Sequence, residues 1–232
     1  MWISNNSSNS ALSALFISCF IPITGFSATE HTRCQTNGLA PQVTLSINQG
    51  KVRFYNDYNR GQLKALSRRS SSISTLSKLW QPAGLTLTER QFSMRIEVRA
   101  QKLRNSRYCV RLSHVRARIG YDKLRVYIAR KYRPKSCQYR SILDHENRHV
   151  AIFRAALNQY APQLKRRLKW SAIKMHAMIT QTPEQAARLF QDKMQQQLKP
   201  VFREMDKKIK LQNEELDTPE NYRREQTRCS RW

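Results

Sequence analysis

Two histidines and a glutamate in the middle of the chain have the spacing of a metal-assisted hydrolase. The segment His145-Glu146-x-x-His149 places its imidazoles four residues apart, so on a helix both lie on one face and can bind one metal ion. Glu146 lies between them, where its carboxylate can reach a water held by that metal. Zinc lowers the pKa of such a water to about 7, and a nearby carboxylate can then take its proton. The motif therefore predicts Zn²⁺ as the cofactor, His145 and His149 as ligands, and Glu146 as the general base.

This prediction requires the motif to be helical, and the hydrophobic pattern around it has the period of a helix. Apolar or histidine side chains recur at steps of three or four: Ile142, His145, His149, Ile152, Phe153, Ala156 and Tyr160. Both histidines are therefore expected on the inward face of a long helix, which Pro162 should kink. The competing interpretation is an amphipathic helix that carries two core histidines without a metal.

A second long helix is predicted after Thr182-Pro183, which has the residues of an N-cap and first helical position. Its apolar stripe has a helical period and consists of Ala187, Phe190, Met194, Leu198, Val201, Met205 and Ile209. Pro162 and Pro200 lie at similar distances from Thr182, one on each side, so the two helices are expected to form an antiparallel hairpin. In that hairpin the residue level with Asn147 lies near Asp217.

A catalytic zinc site needs a third protein ligand and an open position. The motif lacks the Gly and third His that extend it in metzincins, which leaves a carboxylate from a later helix. The hairpin brings the segment 213–217 close to the histidines, so Asp217 is the predicted third ligand and Glu214 the competing candidate. The alternative roles are a helix cap for Asp217 and a surface acid for Glu214. His176 is a weaker candidate.

The part of the chain before the motif is rich in predicted strands. Apolar and polar residues alternate in the segments 43–47, 52–55, 85–88, 92–98, 108–112, 115–119 and 124–128. In the last three, arginines alternate with aliphatic side chains, which predicts an antiparallel sheet with one buried and one cationic face. Asn48-Gln49-Gly50 and Gly120-Tyr121-Asp122 are expected to be turns between strands.

The N-terminus has the features of an export signal, which predicts a secreted or periplasmic protein. Residues 11–28 are apolar and small and could be cleaved after Ser27 or Ala28. Removal of residues 1–28 would leave an even number of cysteines in an oxidising compartment: Cys34, Cys109, Cys137 and Cys229. Two disulfides are expected, with Cys137 bonded to Cys109 or Cys229. No transmembrane segment is expected after signal removal.

The net charge predicts a polyanionic partner. Lys and Arg number 42 against 16 Asp and Glu, a formal charge of +26. An anionic cell-envelope surface is the expected partner of this type, and nucleic acid is not. Because the charge is spread along the chain, simple solubility is an equally good explanation.

The residues around the motif resemble a known family. Cys109-Val-Arg-Leu-x-x-Val115, then Cys137-x-Tyr139, then Ile142-x-x-His145-Glu146-x-x-His149 is similar to a group of exported bacterial proteins classed as zinc-dependent proteases. The resemblance covers the middle third of the chain and the segment 217–232, and only the HExxH core is specific. It implies His145 and His149 as zinc ligands and Glu146 as general base.

Together these patterns predict an α+β protein in which a small antiparallel sheet precedes a long HExxH helix and an antiparallel helical hairpin. The expected parts are a signal peptide (1–28), a strand-rich part (29–135) and a helical part with the site (136–232). The expected function is an exported zinc metallohydrolase that acts on a peptide or protein substrate. The alternative is a non-enzymatic basic envelope protein that binds polyanions or a structural metal.

Overall fold

The computed structural model describes residues 2–5, 34, 40–70, 82–104 and 106–232, and these form one sheet and four helices. The strands are β1 (Trp2–Asn5), β2 (Gln42–Asn48), β3 (Lys51–Tyr55), β4 (Gly84–Lys102), β5 (Tyr108–Ile128) and β6 (Met178–Thr180). The helices are α1 (Arg60–Ser70), α2 (Cys137–Ile173), α3 (Pro183–Leu216) and α4 (Pro219–Gln226). The mixture of helix and strand agrees with the predicted α+β class.

The prediction of an antiparallel sheet was wrong. Strand β1 pairs with β4 in parallel, and β2 and β3 both pair with β5 in parallel. Antiparallel pairing joins β4 to β5 and β5 to β6. Alternation of apolar and polar residues shows which side chains face the core, but it carries no information on strand direction, so the sequence pattern could not reveal the parallel pairs.

Two of the expected turns are absent from the sheet. The register of β2 on β5 continues unchanged into β3, since Asn48 is opposite Gly120 and Lys51 is opposite Lys123. Residues 49–50 therefore interrupt a continuous strand along β5 and do not reverse the chain direction. Strand β5 likewise runs through the predicted turn at residues 120–122. Gly120 has φ +153°, and a Cβ there would lie 1.9 Å from the Asn48 carbonyl oxygen, so the glycine serves close strand contact rather than chain reversal.

Helices α2 and α3 form the predicted antiparallel hairpin. Ser136 caps α2 by accepting a hydrogen bond from the Tyr139 amide, and Thr182 caps α3 in the same way at Gln185. Nearer the start of α2 the His149 ring contacts Asn213, whereas further along α2 the Arg167 guanidinium donates to the Gln197 carbonyl. Partners on α3 thus move back along the chain as those on α2 advance. Pro162 and Pro200 both lie inside helices that continue past them.

The hairpin covers one face of the sheet and forms the main core with it. Phe153 of α2 and Phe190 of α3 are completely buried, and Val115 and Ile119 of β5 lie in the same cluster. Truncation of a buried phenylalanine to alanine typically costs about 3–5 kcal/mol. The predicted strand-rich and helical parts therefore share one hydrophobic core.

A smaller core holds α1 against the start of the motif helix. It contains Leu63 of α1, Leu85 and Leu87 of β4, Tyr127 of β5 and Ile142 of α2, all nearly or fully buried. This second core fixes the start of β4 beside the HExxH segment.

The four cysteines form two disulfides, as expected. Cys34 is bonded to Cys109, and Cys137 is bonded to Cys229, which is one of the two partners considered for it. Disulfides of this kind persist in oxidising compartments. In the part of the chain that the structure describes, no helix is long and apolar enough to cross a membrane. The predicted signal region 11–28 lies outside the described residues, and residues 2–5 within the predicted signal form β1.

Candidate metal centre

The HExxH motif lies in the third and fourth turns of α2 and faces the protein interior. His145 is 3 % exposed, Glu146 is 1 % exposed and His149 is fully buried. Potential ligand atoms of these three residues lie within 4.8 Å of one another, close enough for the group to hold a metal ion. The helical context that the motif required is therefore present.

Asp217 lies directly beside the two imidazoles of the motif. It follows the last residue of α3 as its C-cap, and its carboxylate points across to α2. Its Oδ1 atom is 3.1 Å from Nε2 of His145 and 3.3 Å from Nε2 of His149. The two Nε2 atoms are 3.1 Å apart. Three potential donor atoms thus form a nearly equilateral triangle.

The size of this triangle matches a metal site. Ligand atoms bonded to tetrahedral zinc at 2.0–2.1 Å are about 3.3–3.4 Å from one another. The observed separations are 3.1, 3.1 and 3.3 Å, each within about 0.3 Å of that value. His145, His149 and Asp217 therefore offer three potential ligand atoms at separations compatible with a single metal ion.

The outer nitrogen of each imidazole has a partner that fixes its tautomer. Asn213 donates its Nδ2 to the Ile209 carbonyl, so its Oδ1 atom, 2.6 Å from Nδ1 of His149, must accept from that ring. Glu225 places a carboxylate oxygen 3.0 Å from Nδ1 of His145. Both rings therefore donate from Nδ1, and in the neutral state both present an Nε2 lone pair to the centre. A carboxylate oriented on the far side of a ligand histidine is typical of zinc sites.

Electrostatics in the triangle favour a positive charge. Burial by itself would lower the pKa of His145, but hydrogen bonds to Asp217 and Glu225 outweigh it and raise this pKa above its usual value. Burial lowers the pKa of His149 and keeps that ring neutral. For Asp217, burial acts to raise the pKa, and hydrogen bonds with both imidazoles help to hold it far below its usual range. The acids that favour a proton here also favour a cation.

Helix α4 supplies the outer layer of the centre. Burial and the neighbouring Asp217 raise the pKa of Tyr222, so its hydroxyl stays protonated and donates to Oδ1 of Asp217. The Tyr222 ring stacks on His145 with centroids 5.0 Å apart. Arg148 forms an ion pair with Glu225, and burial of that carboxylate is outweighed by His145 and Arg148, which lower its pKa. Tyr222 thus holds the Asp217 carboxylate, and Glu225 holds the His145 ring.

A disulfide fixes α4 on the start of α2. Cys137, the first residue of α2, is bonded to Cys229, just beyond α4. One turn further along, the Ser141 hydroxyl donates to the Glu225 carbonyl at 3.4 Å. The crosslink therefore holds the segment that carries Tyr222 and Glu225 on the face of α2 that presents His145.

Glu146 occupies a tight niche against the start of β4. The Thr86 hydroxyl donates to its Oε2 atom at 2.7 Å. Gly84 provides the room on the other side, because a Cβ there would lie 2.4 Å from Oε1 of Glu146 and 2.6 Å from Cγ2 of Ile142. The Thr86 hydroxyl thus holds the carboxylate on one side, and the absence of a Cβ at Gly84 leaves room for it on the other.

The two other ligand candidates from the sequence are not part of the centre. Glu214, the competing third ligand, is exposed and forms an ion pair with Lys210. His176, the weaker candidate, is also exposed.

Sequence reasoning missed the roles of Gly84, Thr86, Asn213 and Glu225. Gly84 and Thr86 are about 60 residues from the motif and carry no local signal of their function. Asn213 and Glu225 lie in or beyond the segment 213–217 that the hairpin brings near. Only an alignment of the two helices at atomic detail could distinguish them from surface residues.

No family model, curated protein or solved structure matches this chain. The resemblance to exported HExxH proteins therefore stays a prediction based on the residues that carry it. What is known of the centre is its geometry: two tautomer-fixed imidazoles, a carboxylate that completes the triangle and a buried glutamate beside them.

Proposed function

We propose that this protein is a zinc-dependent metallohydrolase that acts on peptide or protein substrates. The observation that carries the proposal is the triangle of Nε2 atoms of His145 and His149 with Oδ1 of Asp217. All three atoms are hydrogen-bond acceptors when the rings are neutral, and they face one another at 3.1–3.3 Å. Such a cluster is satisfied by a cation at its centre.

The residues present fit zinc by chemistry as well as by size. Two neutral imidazoles and one carboxylate form the donor set of many catalytic zinc sites, with the fourth position left for water or substrate. Zinc in such a site acts as a Lewis acid and lowers the pKa of a bound water to about 7. Asn213 and Glu225 orient the two rings, and Tyr222 orients the carboxylate.

Glu146 has the role of general base in this proposal. Its carboxylate lies within 4.8 Å of the imidazole donor atoms, and Oε2 is held by the Thr86 hydroxyl. The Glu146 carboxylate would take the proton from the attacking water and return it to the leaving amine. A HExxH segment with this placement of the glutamate is typical of peptidases, which supports a peptide carbonyl as the target.

A structural metal is the second candidate, and burial favours it. His145, Glu146 and His149 are at most 3 % exposed. Such burial leaves little access for a large substrate. A structural metal would contribute to folding but would not need Glu146 as a base. The two functions therefore differ in what Glu146 does.

The experiment compares metal content and peptide hydrolysis of the wild type with those of Glu146→Gln and His149→Ala. The hydrolase proposal expects about one zinc per chain in wild type and Glu146→Gln, loss of zinc in His149→Ala, and a turnover of Glu146→Gln reduced by 10²-fold or more. Glu214→Gln is the matched control, because it makes the same chemical change at an exposed acid that pairs with Lys210 outside the centre.

Each result separates the candidates. Zinc that is retained without hydrolysis of a diverse peptide library, and whose removal lowers the melting temperature, would favour the structural metal. A purified chain that neither contains nor takes up zinc would overturn both.

A further inference from the structure

We propose that the face of the sheet opposite the helical hairpin docks on an anionic phospholipid membrane surface. This face carries nine cationic side chains from three adjacent strands, and we call it the arginine face. Its members are Lys51, Arg53, Arg95, Arg99, Arg111, Arg116, Arg118, Lys123 and Arg125. The proposal is independent of the metal centre, which lies on the other side of the sheet.

The strand registers place these cations on one face. On β5, Val115, Ala117 and Ile119 belong to the main core, so the alternating residues Arg116 and Arg118 point away from it. Beyond Gly120 the inward residues are Leu124 and Val126. The positions between and beside these, occupied by Lys123 and Arg125, are again on the outer face.

Cations are opposed by cations at four positions across this face. Arg95 is opposite Arg116, Arg99 opposite Arg111, Lys51 opposite Lys123, and Arg53 opposite Arg125. Like charges that face each other directly on a sheet are destabilising. Two acids lie on this face: Glu97 is 2.6 Å from Arg116, and Glu89 is 3.8 Å from Arg125. An anionic surface against this face would reduce the repulsion between the opposed cations.

The shape of the face favours a planar surface over a nucleic acid. Side chains on one face repeat at roughly 7 Å along a strand and about 4.8 Å between strands, so the cations form a two-dimensional array. Among the described residues, the cations are interspersed with small polar side chains that include Thr44, Ser46 and Ser93. Single-stranded nucleic acid is bound on aromatic side chains, and here Tyr127 is buried under α1, which packs on one end of this face.

The exposed side of helices α2 and α3 can serve as the control surface for the arginine face, because it is also basic. Its exposed lysines include Lys165 and Lys169 of α2 and Lys199 and Lys208 of α3. These lie on the opposite side of the molecule from the arginine face. If membrane binding follows from total charge alone, both sides should matter equally.

The experiment measures binding of the purified chain to vesicles of phosphatidylcholine with and without phosphatidylglycerol, at rising ionic strength. One variant combines Lys51→Gln, Arg53→Gln, Arg118→Gln and Lys123→Gln. The control combines Lys165→Gln, Lys169→Gln, Lys199→Gln and Lys208→Gln and removes the same charge. Each cation near an anionic membrane strengthens binding about fivefold, so loss of four cations should weaken binding of the first variant about 600-fold relative to wild type. The control should change binding less than about fivefold.

Folding is checked in the same samples. Because the first variant removes opposed cations, it should melt at the same temperature as wild type or higher. If it does not fold, Arg118→Gln against Lys199→Gln repeats the comparison with single charges.

Three outcomes would overturn the proposal. The first is equal weakening by both variants, and the second is wild-type binding that does not depend on phosphatidylglycerol. The third is displacement of the protein from vesicles by an equal concentration of duplex DNA or acidic polysaccharide charges, which would assign the arginine face to that polyanion instead.

Discussion

The Oδ1 atom of Asp217 lies 3.1 Å from Nε2 of His145, although 72 residues separate the two side chains. The hairpin of α2 and α3 brings them together, and the end of α3 at Leu216 lets Asp217 turn towards α2. The same residue thus ends a helix and completes a triangle of donor atoms. The helix-cap role and the ligand role of Asp217 were considered as alternatives, but the position of Asp217 at the end of α3 is compatible with both.

We expect Asp217→Ala to weaken zinc binding by 10²-fold or more, because two imidazoles alone rarely hold zinc at neutral pH. Isothermal titration with a competing chelator measures the affinity. Glu214→Ala is the control, since Glu214 is a nearby acid on the same helix that pairs with exposed Lys210. Equal affinities for the two variants would mean that Asp217 acts only as a cap.

Loss of Glu225 should weaken zinc binding by about 10–100-fold, the usual effect of removing the partner of a ligand histidine. Glu225→Ala frees Nδ1 of His145 and leaves Arg148 without its acid. Glu220→Ala on the same helix is matched, because Glu220 is exposed and pairs only with exposed Arg223 among the contacts seen. A zinc affinity unchanged in Glu225→Ala would show that the helix packing alone orients the ring.

Gly84→Ala tests the position of Glu146 without touching the ligands. The new Cβ would lie 2.4 Å from Oε1 of Glu146, so the carboxylate must move. We expect zinc content to stay at the wild-type level while peptide hydrolysis falls by 10-fold or more, in keeping with the cost of misplaced catalytic groups. At Gly61 a Cβ would meet only Asn59 Oδ1 at 3.3 Å, which makes Gly61→Ala the control. Full hydrolysis by Gly84→Ala would argue against Glu146 as the base.

Opening of the Cys137–Cys229 disulfide should loosen the metal centre before it unfolds the protein. The disulfide holds α4, and α4 carries Tyr222 and Glu225, which orient Asp217 and His145. Cys137→Ser combined with Cys229→Ser should lower zinc affinity about 10-fold or more, with a smaller loss in the Cys34→Ser and Cys109→Ser pair. Chelator competition and thermal melting of both variants measure this. A larger zinc effect of the Cys34–Cys109 pair would contradict the role given to α4.

Local rules in the sequence were sufficient for the helices and for most of the centre. The spacing of His145 and His149, the period of the residues around them and the cap at Thr182 all depend on neighbours within one or two helical turns. The hairpin alignment also followed from the chain, because a short connection forces two long helices to pack side by side. Asp217 was therefore predicted, and the structure places it in contact with both histidines.

Only the tertiary structure decided the features that depend on distant segments. The sequence alternation on β2, β3 and β5 determined which faces are buried and which carry arginine, but not that β2 and β3 run parallel to β5 in one continuous register. Gly120, which resembled a turn, permits close contact between strands. Gly84 and Thr86 fix Glu146, and Asn213 and Glu225 fix the imidazole tautomers, through contacts that span about 60 to 80 residues. The sequence by itself determined which side chains could bind a metal ion. The packing of α3, α4 and β4 around α2 decided that their ligand atoms meet, because the distances between those atoms depend on contacts between distant segments that no local pattern encodes.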